Sequence, residues 1–406
     1  MSTFIPEEKM VNNLPKLAII VSHPIQYYAP FFRLLSVNVN LKVFYTLGDA
    51  EQYDAGFKQQ VRWDLPLLEG YDYEFLSNTS AQPGSHHRNG IVNPDLIAHI
   101  TNFEPRAILI YGWAYHSHLQ AMKHFKGKLP VWFRGDSTLL DLQPLYRKIL
   151  RKIYLRSVYK NVDHAFYVGT NNYQYFKAAG LQDRQLTFSP HAVDNERFST
   201  DRSIEAQNLR TQLQIPSSAI LILFAGKFET KKSPLLLLDA FLQLKNRNAH
   251  LLFVGNGDLE ESLKFKVQSL KSEVRSANVG SGPSIVNPIH FMDFQNQTQM
   301  PVLYQACDLF CLPSGGPAET WGLAVNEAMA AGRAALVSNR VGCAVDLVYD
   351  RENGAVFNAG DVADLLEKLS ILCRSKSLLQ EMGKKSKEKI AQWSFENQVK
   401  AFLSAF

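Results

Sequence analysis

The sequence predicts an α/β protein made of two doubly wound domains that face a central cleft. Its 406 residues correspond to two or three domains of about 150 residues each. Hydrophobic residues make up 46% of the chain and charged residues 20%, a composition typical of folded globular proteins. Short apolar runs alternate with longer amphipathic stretches, which is the pattern of parallel strands joined by helices.

The predicted strands fall into two groups of four, one in each half of the chain. Each run is apolar and rich in β-branched or aromatic residues, as expected for parallel strands that are buried on both faces. Most are followed by a plausible helix. The predicted strands of the first half are 17–22, 41–45, 107–111 and 131–133, and those of the second half are 219–225, 250–254, 309–312 and 334–338.

A polar stretch at 199–218 separates the two groups and gives the predicted domain boundary. We expect an N-terminal domain over residues 1–200, a linker over 201–215 and a C-terminal domain over 216–388. Ligands of open α/β sheets bind at the carboxyl ends of the strands, so the cleft between the domains is the expected site.

Charge and cysteine usage exclude several classes of function. The 43 basic residues exceed the 38 acidic ones by only five, so we expect no nucleic-acid partner. The four cysteines form no C-x-x-C pair, which argues against disulfides and zinc and favours a cytoplasmic protein. The apolar run 17–21, preceded by Glu7 and Glu8, is too short for a signal peptide, and no run approaches a membrane span.

The segment 313–332 carries the strongest chemical signal. Glycines and prolines lead from a predicted strand into a helix, and the free N–H groups of about Thr320 to Leu323 would face an anion there. Glu319 and Glu327 are eight positions apart, or about 12 Å along a helix. That distance roughly spans a sugar, a diphosphate and a ribose, so the two carboxylates could hold hydroxyl groups on either side of a bound diphosphate.

A second signal is the basic loop after the strand 219–225. Lys227 and Lys232 lie there, before Pro234 begins a helix. Fixed positive charges stabilise a departing diphosphate without supplying a proton, which makes these lysines candidate catalytic residues. An exposed basic loop is the alternative interpretation.

With these residues in place, the second half resembles the family 4 retaining glycosyltransferases (group 1 type), which have two Rossmann-like domains in the B-type glycosyltransferase fold. The similarity is clear from about residue 216 to 370 and thin before residue 180. It is carried by Gly226-Lys227, Lys232, the Val254-Gly-Asn-Gly257 turn, Tyr304 to Asp308, and Glu319 through Glu327 to Gly332.

The resemblance implies transfer of a sugar from a nucleotide diphosphate sugar of UDP or GDP type, with retention at the anomeric carbon and no required metal or other cofactor. Glu319 would contact the donor sugar, Glu327 the ribose, and Lys227 and Lys232 the diphosphate. No covalent nucleophile is assigned, which suggests a front-face mechanism. The remaining residues implied at the donor site are Thr320, Trp321, Gly322, Leu323, Gly226, Gly255, Asp293 and Phe294.

Four residues depart from the family pattern at positions that bear on which donor is bound. Lys227 stands where the family usually has Arg, Ser233 and Asp293 where Gly is common, and Asp346 where Glu is usual. The last helix, 389–406, matches the family's helix that returns to the first domain.

The first half supplies weaker candidates for the acceptor side. Asp136 follows a predicted strand and is either a catalytic contact of the reacting sugars or part of a plain turn; its neighbour Arg134 is an acceptor-side candidate. His191 lies at the junction between the domains and is expected to border the cleft. His23, at the end of the first strand, is either an acceptor contact or a structural histidine.

Residues 147–160 contain six basic residues and no acidic one, with an apolar arc of Ile149, Leu150 and Ile153. Such a basic amphipathic helix either rests on a membrane surface or presents a solvated face over the core of the first domain.

The resulting hypothesis is a cytoplasmic glycosyltransferase acting on a glycan or lipid-linked acceptor, with peripheral contact at the inner face of the membrane left open. Two alternatives remain. A nucleotide-sugar 2-epimerase of the same fold would need additional acid and base groups in the cleft. A catalytically inactive relative would serve as a binding subunit.

Overall fold

Two parallel sheets organise the chain, and most of their strands are apolar with buried side chains. The edge strands Asp72–Phe75, Leu186–Phe188 and Ile289–Met292 are partly or largely exposed. The computed structural model describes residues 14–49, 53–54, 58–60, 62–141, 143–277, 287–317 and 319–406. Glu7 and Glu8 lie outside the described residues. Parallel pairing requires a crossover between neighbouring strands, and the amphipathic segments supply these crossovers as helices on both faces. The predicted α/β architecture of two doubly wound domains is confirmed.

The first lobe contains a seven-stranded sheet of order β5-β2-β1-β6-β7-β8-β9. A two-stranded antiparallel hairpin, β3 with β4, lies between β2 and β5. The strands are β1 (Lys16–Val21), β2 (Asn40–Tyr45), β3 (Tyr53–Asp54), β4 (Gln59–Gln60), β5 (Asp72–Phe75), β6 (Ala107–Tyr111), β7 (Val131–Arg134), β8 (His164–Tyr167) and β9 (Leu186–Phe188), and the helices are α1 (Ala29–Ser36), α2 (Leu96–Phe103), α3 (His116–Phe125), α4 (Leu145–Tyr159), α5 (Thr170–Ala178) and α6 (Asn195–Ser199).

The second lobe contains a six-stranded sheet of order β12-β11-β10-β13-β14-β15. The strands are β10 (Ile220–Ala225), β11 (Ala249–Val254), β12 (Ile289–Met292), β13 (Leu309–Leu312), β14 (Ala334–Ser338) and β15 (Gly354–Phe357), and the helices are α7 (Ser203–Gln212), α8 (Pro234–Leu242), α9 (Glu260–Ala277), α10 (Met300–Ala306), α11 (Leu323–Ala330), α12 (Ala344–Leu347), α13 (Val362–Leu372) and α14 (Lys376–Ile390). The last helix, α15 (Phe395–Leu403), follows α14 in the chain but packs on the first lobe.

The stretch predicted as a linker, 201–215, is mostly helix α7, packed on the second lobe. Its polar character has a structural reason. The buried Arg210 guanidinium donates to the carbonyl oxygens of Ala306 at 2.8 Å and Ala219 at 2.6 Å, and contacts Asp308 at 3.2 Å. Although Arg210 lies in a polar stretch, its side chain is buried and bonds backbone carbonyl groups that would otherwise lack a donor.

The C-terminal helix α15 crosses back and packs on the first lobe. The ring of Phe402 stacks on Phe166 with a centroid separation of 3.8 Å and lies 5.1 Å from the ring of Phe31. Beyond the helix, Phe406 meets the ring of Trp132 at 4.7 Å. The end of the chain therefore contributes aromatic groups to the core beneath the first sheet.

Helix α4 leaves its apolar arc uncovered. Leu145, Ile149, Leu150 and Ile153 are each more than half exposed, at 73, 52, 62 and 63%. The residues of α4 that pack on the core are Leu155, Val158 and Tyr159, near its C-terminal end. The C-terminal part of α4 therefore lies over the core of the first lobe, whereas its apolar arc faces outward.

Candidate functional site

A cavity of about 340 Å³ opens between the two lobes, at the carboxyl ends of β10 and β13. It is the position expected for a ligand of two facing α/β sheets. Most residues singled out in the sequence line it. Those from the second lobe are Gly226, Lys227, Lys232, Gly255, Phe294, Glu319, Thr320, Trp321, Gly322, Leu323 and Glu327, and those from the first lobe are Asp136 and His191.

Lys232 and Glu319 form an ion pair inside this cavity. The chain turns through a 3₁₀ segment at Thr230–Lys232, and Ser233 then takes the left-handed conformation, with φ of 52°, before α8 begins. This turn brings Lys232 Nζ to 2.5 Å from Glu319 Oε2, which also accepts from Ser314 Oγ at 2.7 Å. An ammonium group and a carboxylate are thus held next to each other in the cavity.

The loop before α11 is clamped by backbone hydrogen bonds. Gly342 N–H donates to Glu319 O at 3.0 Å, and Cys343 N–H donates to Trp321 O at 2.9 Å. A Cβ atom at Gly342 would lie 1.7 Å from Thr320 O, so only glycine permits this approach. Helix α11 begins one residue after Gly322, and the residues of its start line the cavity. The N–H of Val325 is bonded to Gly322 O at 2.9 Å, and the N–H groups that precede it at the helix start can therefore contribute to an anion site.

Glu327 is almost completely buried, at 2% exposure. Its Oε1 accepts from Tyr27 of the first lobe at 3.1 Å, and its Oε2 accepts from Tyr304 on α10 at 2.7 Å. Burial raises the pKa of the Glu327 carboxyl, and the hydrogen bond from Tyr304 and the positive charge of Arg197 offset only part of that effect. A buried carboxylate with two hydroxyl donors is also well suited to exchange one of them for a ligand hydroxyl.

Several polar contacts join the lobes around the cavity. Asp136 Oδ2 accepts from Thr320 Oγ1 at 2.6 Å. Asp346 accepts from the backbone N–H of Thr170 at 2.9 Å and from its hydroxyl at 2.6 Å. Asp136 therefore borders the cavity directly, whereas Asp346 contributes to the contact between the lobes behind it.

His191 reaches the cavity from the junction between the lobes. Its carbonyl oxygen accepts from Asn326 Nδ2 at 2.8 Å, and its ring lies 5.9 Å from that of Trp321. Trp321 Nε1 in turn donates to Asn326 Oδ1 at 2.9 Å. Burial, together with the charge of Arg134, lowers the pKa of His191 well below its usual value.

Three residues singled out in the sequence do not line the cavity. Arg134 is buried and donates to Ser189 O at 3.1 Å and Pro190 O at 3.0 Å, so it holds the turn that leads to His191. His23 lies 2.9 Å from Ser22 Oγ, and burial lowers its pKa to about 4. Asp293 faces Asn256 Nδ2 at 3.4 Å. Each of these side chains bonds to a partner close by and not to the cavity. Sequence spacing does not predict the direction in which a side chain points.

The cavity also contains side chains that were not among the predicted site residues. Gln26, Tyr27 and Trp63 come from loops of the first lobe, and Tyr304 comes from α10. Of these, only Tyr304 lies in a stretch that resembles the family. The others carry no periodic or spacing signal, because loops reach the cavity through the tertiary fold alone.

No group of three or more His, Cys, Asp or Glu side chains in the described part of the chain is placed to hold a metal ion. The four cysteines are buried as free thiols.

A family model for glycosyl transferases group 1 matches residues 205–389, from α7 to the end of α14. The match includes both lysines and both glutamates of the cavity. The second lobe belongs to the group 1 glycosyltransferases. The chain spans about half the length of the curated relatives that it matches first.

Two of these relatives illustrate the group. The lipopolysaccharide 1,2-N-acetylglucosaminetransferase of Salmonella typhimurium is 32% identical over 206 residues, which cover 48% of this chain and 51% of the relative. An α-1,4-N-acetyl-D-galactosaminyltransferase of Campylobacter jejuni, named for an undecaprenol-diphosphate-linked acceptor, is 23% identical and covers 64% of both chains.

Solved structures show the same fold over nearly the whole chain. The Anabaena protein Alr3699/HepE, crystallised with UDP and glucose, superposes with a TM-score of 0.67 at 19% identity, over 97% of this chain and 100% of that one. The two lobes of this chain therefore adopt the B-type glycosyltransferase fold, as the resemblance implies.

Proposed function

We propose that this protein is a retaining glycosyltransferase that moves a sugar from a nucleotide diphosphate sugar to an acceptor hydroxyl, in the synthesis of a glycan or glycolipid. The proposal rests on one observation: two lysines, two glutamates and the start of α11 line one cavity between the lobes. Cations and free N–H groups bind a diphosphate, while carboxylates accept hydrogen bonds from sugar and ribose hydroxyls. The family match to the second lobe supports it.

In the proposed reaction the acceptor oxygen bonds to the anomeric carbon while the bond from that carbon to the donor phosphate oxygen breaks. The acceptor's proton passes to the departing phosphate oxygen, so the nucleoside diphosphate leaves with the proton and no protein base is required. Lys227 and Lys232 stabilise the charge that develops on the diphosphate. Asp136 approaches the reacting sugar from the other lobe. We propose no metal requirement, because the lysines occupy the position where the diphosphate charge develops.

We propose a donor of UDP or GDP type. A structural relative was crystallised with UDP and glucose, and the relatives from Salmonella typhimurium and Campylobacter jejuni are named as transferring N-acetylglucosamine and N-acetylgalactosamine. The names of these relatives favour a lipopolysaccharide-like or lipid-linked acceptor for this chain as well.

A panel of UDP and GDP sugars, screened by thermal shift, identifies the donor, because a ligand bound only to the folded state raises Tm. Mass spectrometry then follows the donor that binds, alone and with a glycolipid extract. A glycosyltransferase forms a larger glycolipid and a nucleoside diphosphate. Formation of an epimer from donor alone would favour the 2-epimerase, and binding with neither product would favour an inactive binding subunit.

We further propose that α4 rests on a membrane surface, so that the enzyme is cytoplasmic and peripheral at the inner face. The apolar side chains of α4 are exposed, and basic residues flank them on the same helix. Such a face inserts among lipid headgroups, and each lysine or arginine near an anionic surface contributes about 1 kcal/mol. Among the described residues no helix is long and apolar enough to span a bilayer, so the contact would be peripheral.

A further inference from the structure

One segment of the first lobe reaches across to the loops that follow β11 and β12. We call its described residues, 58–60 and 62–64, the bridging segment. Lys58 Nζ lies 2.9 Å from Asp258 Oδ1. Farther along, Arg62 O accepts from Asn296 Nδ2 at 2.8 Å, and the Asp64 carboxylate accepts from the backbone N–H of Thr298 at 3.2 Å. Polar contacts on both sides of Trp63 therefore fix it against the second lobe.

Trp63 lines the cavity beside Phe294. The two ring centroids are 6.2 Å apart and the ring planes are tilted by 60°. The loop that carries Phe294 is itself fixed, because the Phe294 N–H donates to Asn256 Oδ1 at 2.7 Å. The cavity therefore has an aromatic wall to which both lobes contribute one ring.

The chemistry of this wall differs from that of the rest of the cavity. The residues that line it near Phe294 are Val254, Gly255, Gln295 and Gln297, which are apolar or carry neutral amides. Elsewhere in the cavity, the charged groups Lys232 and Glu319 form an ion pair with each other. A flat heteroaromatic group with amide-like edges matches an aromatic wall flanked by side-chain amides, whereas a phosphate does not.

We propose that Trp63 stacks on the base of the nucleoside diphosphate and is a specificity residue supplied by the first lobe. This inference rests on the proposed function, since it assigns the base end of the same donor. Because the rings of Trp63 and Phe294 are tilted, a planar base stacks on the indole and meets Phe294 at an angle. Contact with the base then depends on the bridging segment, so donor binding stabilises the contact between the lobes.

Calorimetry with UDP, GDP and inorganic pyrophosphate tests this assignment on the full chain. Base stacking on an aromatic side chain is worth enough that Trp63→Ala should weaken binding of the preferred nucleoside diphosphate about tenfold or more. Trp63→Phe should restore most of that loss, because a smaller aromatic face remains. Pyrophosphate lacks a base, so its affinity should be the same in all three proteins. Phe265→Ala removes a ring that is 72% exposed on α9 and serves as the matched control.

Two results would overturn the assignment. Nucleoside diphosphate binding by Trp63→Ala that equals the Phe265→Ala control would show that the indole does not touch the base. A loss of pyrophosphate affinity as large as the loss for the nucleotide would assign the effect to opening of the lobes. If the unmodified protein binds neither UDP nor GDP, the proposed function itself fails, and the stacking role fails with it. Tm values of the variants confirm that each one is folded.

Discussion

Lys232 Nζ lies 2.5 Å from Glu319 Oε2, with Lys232 21% exposed and Glu319 9% exposed. The cation proposed for the diphosphate and the carboxylate proposed for the donor sugar therefore neutralise each other before any ligand enters. Donor binding then exchanges one charge partner for another, with the lysine moving its interaction toward phosphate and the glutamate toward sugar hydroxyls. Such an exchange avoids leaving either charge desolvated and unpaired.

This pairing predicts opposite effects on nucleotide binding for the two partners. Lys232→Ala removes a phosphate contact and should weaken UDP or GDP binding, whereas Glu319→Gln releases the full charge of the lysine and should preserve or strengthen it. Both variants should lower turnover by about 10²-fold or more, because each removes a group placed for the transition state. Calorimetry and product formation measure the two effects separately. Unchanged turnover in Glu319→Gln would refute the assigned role.

The buried Glu327 predicts a pH-dependent stability difference. Burial raises its pKa above the usual 4.5, so its stabilising contribution is complete below about pH 4.5 and is lost as the pH rises through the raised value. Glu327→Gln mimics the protonated carboxyl and should gain in Tm relative to the unmodified protein between pH 4.5 and 8. Donor affinity should fall, because the ribose partner is altered. The exposed Glu388→Gln is the control and should show no such trend.

A substitution at Gly342, which does not line the cavity, is expected to weaken donor binding. Because its Cβ would meet Thr320 O at 1.7 Å, Gly342→Ala must displace the loop 319–321, and overpacking of this kind costs about 1–3 kcal/mol. Thermal unfolding and donor affinity should both decrease. Gly360→Ala, at a φ of 83° with nothing within 4 Å of the new atom, should lower stability through backbone strain and leave donor affinity intact. Equal donor affinity in the two variants would contradict the argument.

Substitutions on the exposed face of α4 are expected to reduce membrane binding without destabilising the fold. Leu150→Glu and Ile153→Glu replace side chains that are more than 60% exposed, so Tm should change little, since surface substitutions are usually within about 0.5 kcal/mol. Co-sedimentation with vesicles containing anionic lipid should drop sharply. The control Ile204→Glu changes a side chain that is 75% exposed on α7 and should bind vesicles normally. Vesicle binding that survives both α4 variants would exclude this face.

His118 predicts part of the acid sensitivity of the fold. Its ring is buried, 2.9 Å from both Thr46 Oγ1 and Gly112 O, and burial lowers its pKa from 6.5 to about 4. Between these two pH values the unfolded chain binds a proton at this histidine and the folded chain does not. The free energy of unfolding therefore falls by about 3 kcal/mol as the pH drops from 6.5 toward 4. His118→Gln should be less stable at pH 7 but should lose less on acidification. The exposed His124→Gln is the comparison, and equal acid sensitivity in the two would contradict the prediction.

The fold was largely predictable because buried parallel strands leave a local signal. The run Ile220–Ala225 is apolar at every position, since both faces of its strand are covered. The shorter or more polar strands Asp72–Phe75 and Ile289–Met292 lie at sheet edges, where less burial is needed, and they gave no clear signal. The polar stretch around Arg210 forms a helix on the second lobe, and the Arg210 guanidinium bonds buried carbonyl oxygens there, which only the packed structure reveals.

The amino-acid sequence alone was enough to predict two doubly wound domains that face each other, and to mark Lys227 and Lys232 in one loop of the second domain, and Glu319 and Glu327 in another segment, as candidate site residues. Local spacing is enough for this, because strand, turn and helix start follow one another along the chain. Only the tertiary structure decided that Tyr27 and Trp63 enter the same cavity, that Arg134 supports a turn, and that the apolar arc of α4 faces outward. These side-chain positions depend on contacts between residues that are far apart in sequence. Such contacts form only when both lobes are folded and packed, so local sequence patterns do not reveal them.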